Sequence, residues 1–321
     1  MMNLVTGATG FIGQHIVDQL LLEGKDVRVL TRGDRPLPQS WLNHVDVVYG
    51  ELNDSAALQK AVSGCESVFH LAAELRDSKQ MDRVNIEGTN CLLEACDQTG
   101  VCKLIHLSSV GIMGVTRKGD VDEMELCNPR NHYERSKFAA EKMVLAWSKK
   151  PGKQAIVIRP TNVFGDGPRS GSDSMLSWLQ AIQKGMFVFF GRQAISNYVY
   201  VKDVADACCG AARFTSTGVF IINDPCMLED FVSAAAEALG VQAPRVFVPL
   251  PLAYAAALAF QGAAWLTRSH SPLTVSRVRA LSIRTRYLSN RIHMAWGWWP
   301  ASGYKVGLQR TVNWYRNMGQ V

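Results

Sequence analysis

The first thirteen residues restrict the fold more than any other segment. Val5-Thr6-Gly7-Ala8-Thr9-Gly10-Phe11-Ile12-Gly13 follows a short apolar strand, Met2 to Val5. It precedes an amphipathic segment carrying Ile16, Val17, Leu20 and Leu21, with Gly24 where that helix should stop. Strand, glycine turn and helix make the setting in which a dinucleotide fingerprint is credible; glycines alone often only make turns. Gly7 permits the tight turn, Gly10 lets a pyrophosphate approach bare backbone, and Gly13 lets the helix pack closely on the strand. The phosphates would face N–H groups at the positive helix end, with Thr9, Phe11 and Ile12 completing the cradle.

The pattern after this turn alternates strands and helices. Asp26 to Thr31, Val45 to Tyr49, Ser67 to Leu71, Leu104 to Leu107 and Gln154 to Ile158 read as strands. Ala56 to Val62, Val84 to Cys96 and Tyr133 to Ser148 read as helices. This order predicts an α/β fold with a doubly wound parallel sheet, its ligand beyond the carboxyl ends of the strands. Asp166 to Ser174 is rich in Gly and Ser and reads as a loop. Helix Met175 to Lys184, strand Tyr198 to Val201, a helix from Asp203, strand Val219 to Ile222 and helix Glu229 to Leu239 follow. We therefore expect a dinucleotide-binding domain over 1–165, with 197–223 returning to its sheet, and a smaller, interleaved substrate domain over 166–321.

Composition narrows the class. At 321 residues and 47% hydrophobic content the chain can bury a substantial core. Its eight cysteines form no C-x-x-C pair and no His/Cys cluster of zinc spacing, so no metal site is expected. With no signal peptide before the glycine turn, reduced thiols in the cytoplasm are expected. The net charge of +6 is uneven: no Asp or Glu follows Glu237, and the last 84 residues carry +10, leaving −4 for the rest. The basic third suits an anionic ligand or a peripheral contact with an anionic membrane; a solvated basic face explains it equally well. No basic helix has groove-reading spacing, so nucleic acid is not an expected partner. Val246 to Leu266 is nearly uncharged but broken by Pro249 and Pro251. It is expected to be a buried or lid helix, with interfacial membrane attachment as the alternative.

Tyr133-Glu134-Arg135-Ser136-Lys137 is the second chemical signal. Tyr133 and Lys137 lie one helical turn apart on one face. A free phenol titrates near 10. A neighbouring ammonium and an oxidised nicotinamide would favour the phenolate and lower that value. Such a pair can pass a proton to or from a substrate oxygen while hydride moves to the coenzyme. A hydroxyl from Ser108 or Ser109, at a strand end, would polarise the same oxygen.

Taken together, these motifs resemble the extended short-chain dehydrogenases/reductases, which include sugar-nucleotide epimerases and dehydratases, dihydroflavonol reductases and 3β-hydroxysteroid dehydrogenases. The resemblance covers nearly the whole chain. It rests on Thr6 to Gly13, His70-Leu71-Ala72-Ala73, Asn85-Ile86-Glu87-Gly88-Thr89-Asn90 and Leu107-Ser108-Ser109. It continues through Tyr133 to Lys137, Arg159-Pro160-Thr161-Asn162-Val163-Phe164-Gly165 and Tyr200 to Ala205. It implies that Tyr133 is the acid/base and that Lys137 is its electrostatic partner and holds the nicotinamide ribose. It implies Ser109 as the catalytic hydroxyl, with Ser108 as fallback, and Asn85 as support for the hydrogen-bond relay. Glu51-Leu52 would flank the adenine, where the family usually carries Asp. Leu71, Ala72 and Ala73 would line the cofactor groove, and Pro160, Thr161, Asn162 and Val163 would pass the nicotinamide. Members are often dimers through two long helices, here those around Val84 to Cys96 and Tyr133 to Ser148, so a homodimer is expected.

Cofactor and reaction follow from particular residues. The second strand ends in Thr31-Arg32, where NAD-preferring folds place a carboxylate for the ribose 2′-OH. Arg32 can instead pair a 2′-phosphate, so NADP(H) is the expected coenzyme, with NAD(H) also accepted. A dehydrogenase or reductase acting on a small, hydrophobic or lipid-like secondary alcohol or ketone is the first reading. Pro249 to Leu266 and Pro272-Leu273-Thr274 resemble the steroid and flavonoid branch. A sugar-nucleotide epimerase is the alternative, with Arg192 or Arg279 as diphosphate contacts. Val110-Gly111 stands where a dehydratase needs an Asp-Glu pair, and Met113 where the family usually has Tyr. A non-catalytic, nucleotide-sensing role is the third reading, opposed by the intact Ser109, Tyr133 and Lys137 set. Glu74, Arg76, Arg135 and His132 read as surface charge, and the Trp296, Trp298, Trp299, Trp314 and Tyr315 tail as packing.

Overall fold

The computed structural model describes residues 1–114, 119–168, 173–267, 271 and 273–321. Seven parallel strands make the central sheet: β1 (Met2–Thr6), β2 (Asp26–Thr31), β3 (Val45–Tyr49), β4 (Cys65–His70), β5 (Lys103–Leu107), β6 (Gln154–Pro160) and β7 (Gly218–Ile222). They lie in the order β3-β2-β1-β4-β5-β6-β7. Leu4, Val5, Val68, Phe69, Leu104, Ile105 and Ile156 to Ile158 are all buried, as strands covered on both faces require. Helices α1 (Phe11–Leu22) and α5 (Val201–Ala211) cover one face. Helices α2 (Ser55–Val62), α3 (Gly88–Thr99) and α4 (His132–Trp147) cover the other. The strand order reverses between β1 and β4, and the connections leaving them in opposite directions open a crevice at the carboxyl edge.

The helix expected over Val84 to Cys96 is two structures. Asp82–Glu87 is a π-helical turn, and the α-helix begins only at Gly88. The extra residue per turn brings Asn85 inward, where its amide bonds to the Glu74 backbone and to Ser136. Gly88 seats against Leu52, where an added Cβ would lie 2.7 Å from the Leu52 Cβ.

The second lobe is built on strand Ile195–Tyr200, which pairs parallel with Asn162–Phe164 and antiparallel with Asp224–Met227. Helices Ser174–Gln183, Leu228–Leu239 and Gly303–Asn317 pack over it through Phe231 and Tyr315, against Phe164 and Tyr200. Within 197–223, α5 packs on α1 and β7 pairs with β6, whereas residues up to Tyr200 belong to the small sheet. The helix expected from Asp203 starts at Val201. Trp296 packs on Phe214 and Phe220, and Trp298 is buried. Residues 169–172 of the expected Gly/Ser loop, and Pro272, lie outside the described residues.

The segment expected to be a buried or lid helix over Val246 to Leu266 is not buried. Helix α6 (Leu250–Thr267) touches the body through Ala253 and Ala257, against Val278 of α7 (Val275–Ala280), and turns Leu252, Leu258, Phe260, Trp265 and Leu266 outward. Leu250 and Tyr254 pack partly against the same cluster, and the larger side chains further along the helix make no part of it. Among the described residues no helix is long and apolar enough to cross a membrane. All eight cysteines are free thiols.

Candidate active site

A cleft of about 630 Å³ runs along the carboxyl ends of β1, β2, β4, β5 and β6. Its floor is the glycine turn. Gly7 adopts φ +71°, and a Cβ there would lie 2.6 Å from the Ala72 nitrogen. A Cβ on Gly13 would lie 2.2 Å from the Gly7 carbonyl oxygen, so the helix start and the turn pack too closely for any other residue. Gly10 is different. A Cβ there would meet only the Gly7 oxygen, at 3.1 Å, and the residue opens into the cleft as the N-cap of α1. These three environments fit a pyrophosphate held on the amino end of α1, with the bare backbone of Gly10 as its seat. Thr9, Phe11 and Ile12 line the same floor.

Arg32, Glu51 and Leu52 line one end of the cleft, and Leu71, Ala72 and Ala73 its middle. Arg32 pairs with Asp34 at 2.5 Å, and Glu51 pairs with Arg83 at 2.7 Å. Arg35 reaches the Thr9 carbonyl at 3.5 Å and lines the cleft beside Arg32. Asp34, Arg35 and Arg83 are lining residues that the sequence motifs do not include. Arg35 and Asp34 follow Arg32 directly, so a wider window after β2 would have included them. Arg83 sits on the π-helical turn, and no sequence signal places that turn at the cleft.

The other end holds Ser108, Ser109, Tyr133, Lys137, Pro160, Thr161 and Val163. Asn162 is exposed on the small sheet and does not line the cleft, because alternation along that short strand turns it away from Val163. Asn85 lies behind the wall, buried.

Local sequence positions each group. Asn131 and Glu134 form a capping box, Asn131 Oδ1 accepting from the Glu134 nitrogen at 2.8 Å and Glu134 Oε2 accepting from the Asn131 nitrogen at 3.4 Å. This fixes the start of α4 and puts Tyr133 in its first turn, facing the cleft. The two serines then part company. Ser108 Oγ donates to Glu141 Oε2 at 2.6 Å, and that carboxylate is held from its other side by Arg159, at 2.5 and 3.1 Å. Its proton is therefore committed to a buried ion pair. Ser109 Oγ accepts from the Gly111 nitrogen at 3.1 Å, which leaves its own proton available to the cleft.

Behind this wall lies a buried polar layer. Thr89 Oγ1 donates to the Asn85 carbonyl at 2.7 Å, so it must accept from His70 Nε2 at 2.9 Å. His70 Nδ1 is then an acceptor, facing Thr6 Oγ1 at 2.9 Å. The chain continues from the Asn85 amide to Ser136 Oγ, and from Ser136 Oγ to the Tyr133 carbonyl, both at 2.9 Å. It ties β1 to the first turn of α4. Burial holds His70 at about 3, with the Lys137 charge lowering it further, and His106 beside it is likewise well below the usual imidazole range. Both rings are neutral.

The expected lowering of the Tyr133 phenol is not found in this chain's own residues. Burial, and then the Glu134 carboxylate, push it up to about 12. Lys137 Nζ donates to the Leu107 carbonyl at 2.7 Å, and burial brings that ammonium down to about 8 against the opposing pull of Glu141. The lysine stands one turn away, but its charge is itself desolvated.

The model of the NAD-dependent epimerase/dehydratase family matches residues 3–222. The chain belongs to this family. The epimerase/dehydratase model ends at the last strand of the sheet, so the second lobe beyond it is matched only by whole relatives. One of these is sterol demethylase protein B of Methylococcus capsulatus, 27% identical with each chain covered fully. A 3beta-hydroxysteroid-dehydrogenase/decarboxylase (isoform 1) of Arabidopsis thaliana is 26% identical, covering 97% of this chain and 78% of its own. An N-acetyl-alpha-D-glucosaminyl-diphospho-ditrans,octacis-undecaprenol 4-epimerase of Escherichia coli O157:H7 is also 26% identical, covering 96% and 93%. Among solved structures, gox2253 superposes with a TM-score of 0.79 at 25% identity, covering 100% of this chain and 99% of its own. The UDP-glucose 4-epimerase of Thermus thermophilus, in complex with NAD, superposes with a TM-score of 0.72 at 26% identity, covering 98% and 99%. Epimerase/dehydratase family membership makes the protein an NAD-dependent enzyme. Its relatives include enzymes named for sterol and for sugar substrates.

Proposed function

We propose that this enzyme interconverts a secondary alcohol and a ketone on a hydrophobic, lipid-like substrate, with NADP(H) as the preferred coenzyme. The observation that carries the reading is the hydroxyl pair at one end of the cleft: Ser109, whose proton is uncommitted, and Tyr133, whose phenol stays protonated at neutral pH. A bound nicotinamide would give or take the hydride, with the glycine turn, Leu71 to Ala73, Lys137, Pro160, Thr161 and Val163 as the residues to hold the coenzyme.

In the direction of reduction, Ser109 donates a hydrogen bond to the substrate carbonyl and Tyr133 passes it a proton. Lys137, an ammonium below about pH 8, offsets the phenolate charge that remains. In the direction of oxidation Tyr133 must accept a proton, so that rate should climb as pH rises toward the phenol's value, while reduction stays level across neutral pH. The wall behind the turn after Ser109 is apolar. Ile112 and Met113 pack there with Val121, beside Phe138 and Tyr287, an apolar cluster with no carboxylate pair. Of the arginines considered for a sugar diphosphate, Arg192 stacks on Phe247 at 4.4 Å and Arg279 is exposed on α7. Neither lines the cleft. Arg32 and Arg35 at its opposite end supply the positive charge that a 2′-phosphate needs.

The test is stoichiometric. Given a series of apolar secondary alcohols and either oxidised coenzyme, the enzyme should accumulate one reduced coenzyme per ketone formed, faster with NADP. Arg32→Asp should shift the NADP/NAD ratio of kcat/KM by about tenfold toward NAD, the size of one charge-assisted hydrogen bond. Inversion of a sugar hydroxyl with no net change in coenzyme would overturn the reading.

A further inference from the structure

We propose that the α6–α7 hairpin is a docking surface for an anionic lipid bilayer. The proposal is independent of the reaction assigned above. Helix α6 has eighteen residues, none charged, and is about 27 Å long. A surface helix ordinarily turns a polar stripe to water. This one buries Ala253 and Ala257 and points its larger apolar side chains away from the protein. Leu252 is 62% exposed, Leu258 63%, Trp265 80% and Leu266 75%, with Phe260 beside them. At 100° per residue Leu252, Leu258, Phe260, Trp265 and Leu266 cover more than half the helix circumference, and no charged residue of the helix interrupts them.

The charge around the helix names the occupant. Arg277 and Arg279 are exposed on α7, packed against α6, and Arg245 is exposed just before it. No acidic residue follows Glu237 anywhere in the chain. A second copy of the chain would bring the same arginines to the same patch, which disfavours a self-complementary interface. A bilayer carrying acidic headgroups supplies the opposite charge and an apolar interior within reach of leucine and tryptophan. Because α6 is not long and apolar enough to span, it would lie in the interfacial plane. The hairpin is also joined to the cleft. Residues 281–284 lead from α7 into strand Thr285–Tyr287, which pairs with Gly119–Val121, and Val121 packs on Ile112 and Met113 after Ser109. A docked hairpin therefore holds the substrate end of the cleft near the lipid surface.

Flotation of the full-length protein with vesicles tests this. Wild type should float with phosphatidylcholine vesicles containing phosphatidylglycerol and not with phosphatidylcholine alone. Arg277→Gln with Arg279→Gln should weaken binding about 25-fold, each basic residue at an anionic surface being worth about fivefold. Leu258→Glu with Trp265→Glu should abolish it. Both pairs of changes lie on the outer surface, so retained NADPH binding shows that the variants are folded. No flotation with anionic vesicles at low salt, or equal flotation with both kinds, overturns the proposal. So does a wild-type dimer that Leu258→Glu dissociates while vesicles bind neither protein, because the patch is then a subunit interface.

Discussion

Polar side chains are buried beneath the cleft, and apolar side chains are exposed on α6. In the first region Thr6, His70, Thr89, Asn85, Ser136, Lys137, Ser108 and Glu141 lie inside, and nearly every one is matched to a partner. In the second, Leu258, Trp265 and Leu266 face outward. A buried polar group is costly unless paired, so a layer of paired ones fixes a single arrangement of the wall that carries Tyr133 and Ser109. An exposed apolar stripe has no such requirement and is free to meet something outside the protein. The first region positions chemistry, and the second leaves a contact open.

Glycines give the largest contrast. Gly13→Ala forces a Cβ to 2.2 Å from the Gly7 oxygen and 2.8 Å from the Ala8 Cα, both backbone. It should cost about 3 kcal/mol of stability and remove coenzyme binding. Gly262→Ala, on α6 with open space around it, should instead stabilise by about 1 kcal/mol. Thermal melts of the two variants check both signs, and equal shifts would erase the distinction between the regions.

The serines sharpen the account within the cleft wall. Ser109→Ala should lower kcat about 100-fold with the melting temperature nearly unchanged, the loss expected for one donor to a developing oxyanion. Ser108→Ala removes a hydrogen bond to the Glu141–Arg159 pair and should cost about 1 kcal/mol of stability while most of the activity remains. If the two phenotypes exchange, Ser108 is the catalytic hydroxyl.

A smaller effect comes from the neutral imidazoles. His70 titrates near 3 in the folded protein and near 6.5 when unfolded. The unfolded chain therefore takes up the proton first, and stability is lost as pH falls from 6.5. Each such ring contributes a slope of about 1.4 kcal/mol per pH unit. Neither ring nitrogen of His106 has a hydrogen-bond partner. His106→Phe should leave stability at pH 7 unchanged or higher and remove one such increment from the acid slope. Denaturant titrations at pH 7 and pH 5 measure it, and an unaltered slope would mean that His106 is charged in the fold.

Much of this is legible in the sequence, for stated reasons. The glycine turn, the strands and the Tyr133–Lys137 pair are local signals, and Gly7, Gly13 and the apolar β-strands leave little choice of conformation. What is not legible depends on partners distant in the chain. Asn85 comes inward through a π-helical turn whose extra residue no helical period announces. Arg83 reaches the cleft on that same turn. The choice between Ser108 and Ser109 rests on Glu141 and Arg159, 33 and 51 positions beyond Ser108. The upward push on Tyr133 is a matter of burial, which Tyr-x-x-x-Lys spacing does not carry. The outward face of α6 is hidden for another reason: its composition is that of a buried helix.

Tyr133→Phe tests the central claim most directly. Fluorescence titration should find coenzyme affinity within about twofold of wild type, while kcat for ketone reduction falls about a thousandfold, the upper range for loss of a positioned acid. A variant that binds coenzyme and still reduces the ketone at a rate near wild type would contradict the assignment of the phenol as proton donor, and with it the chemistry proposed for the cleft.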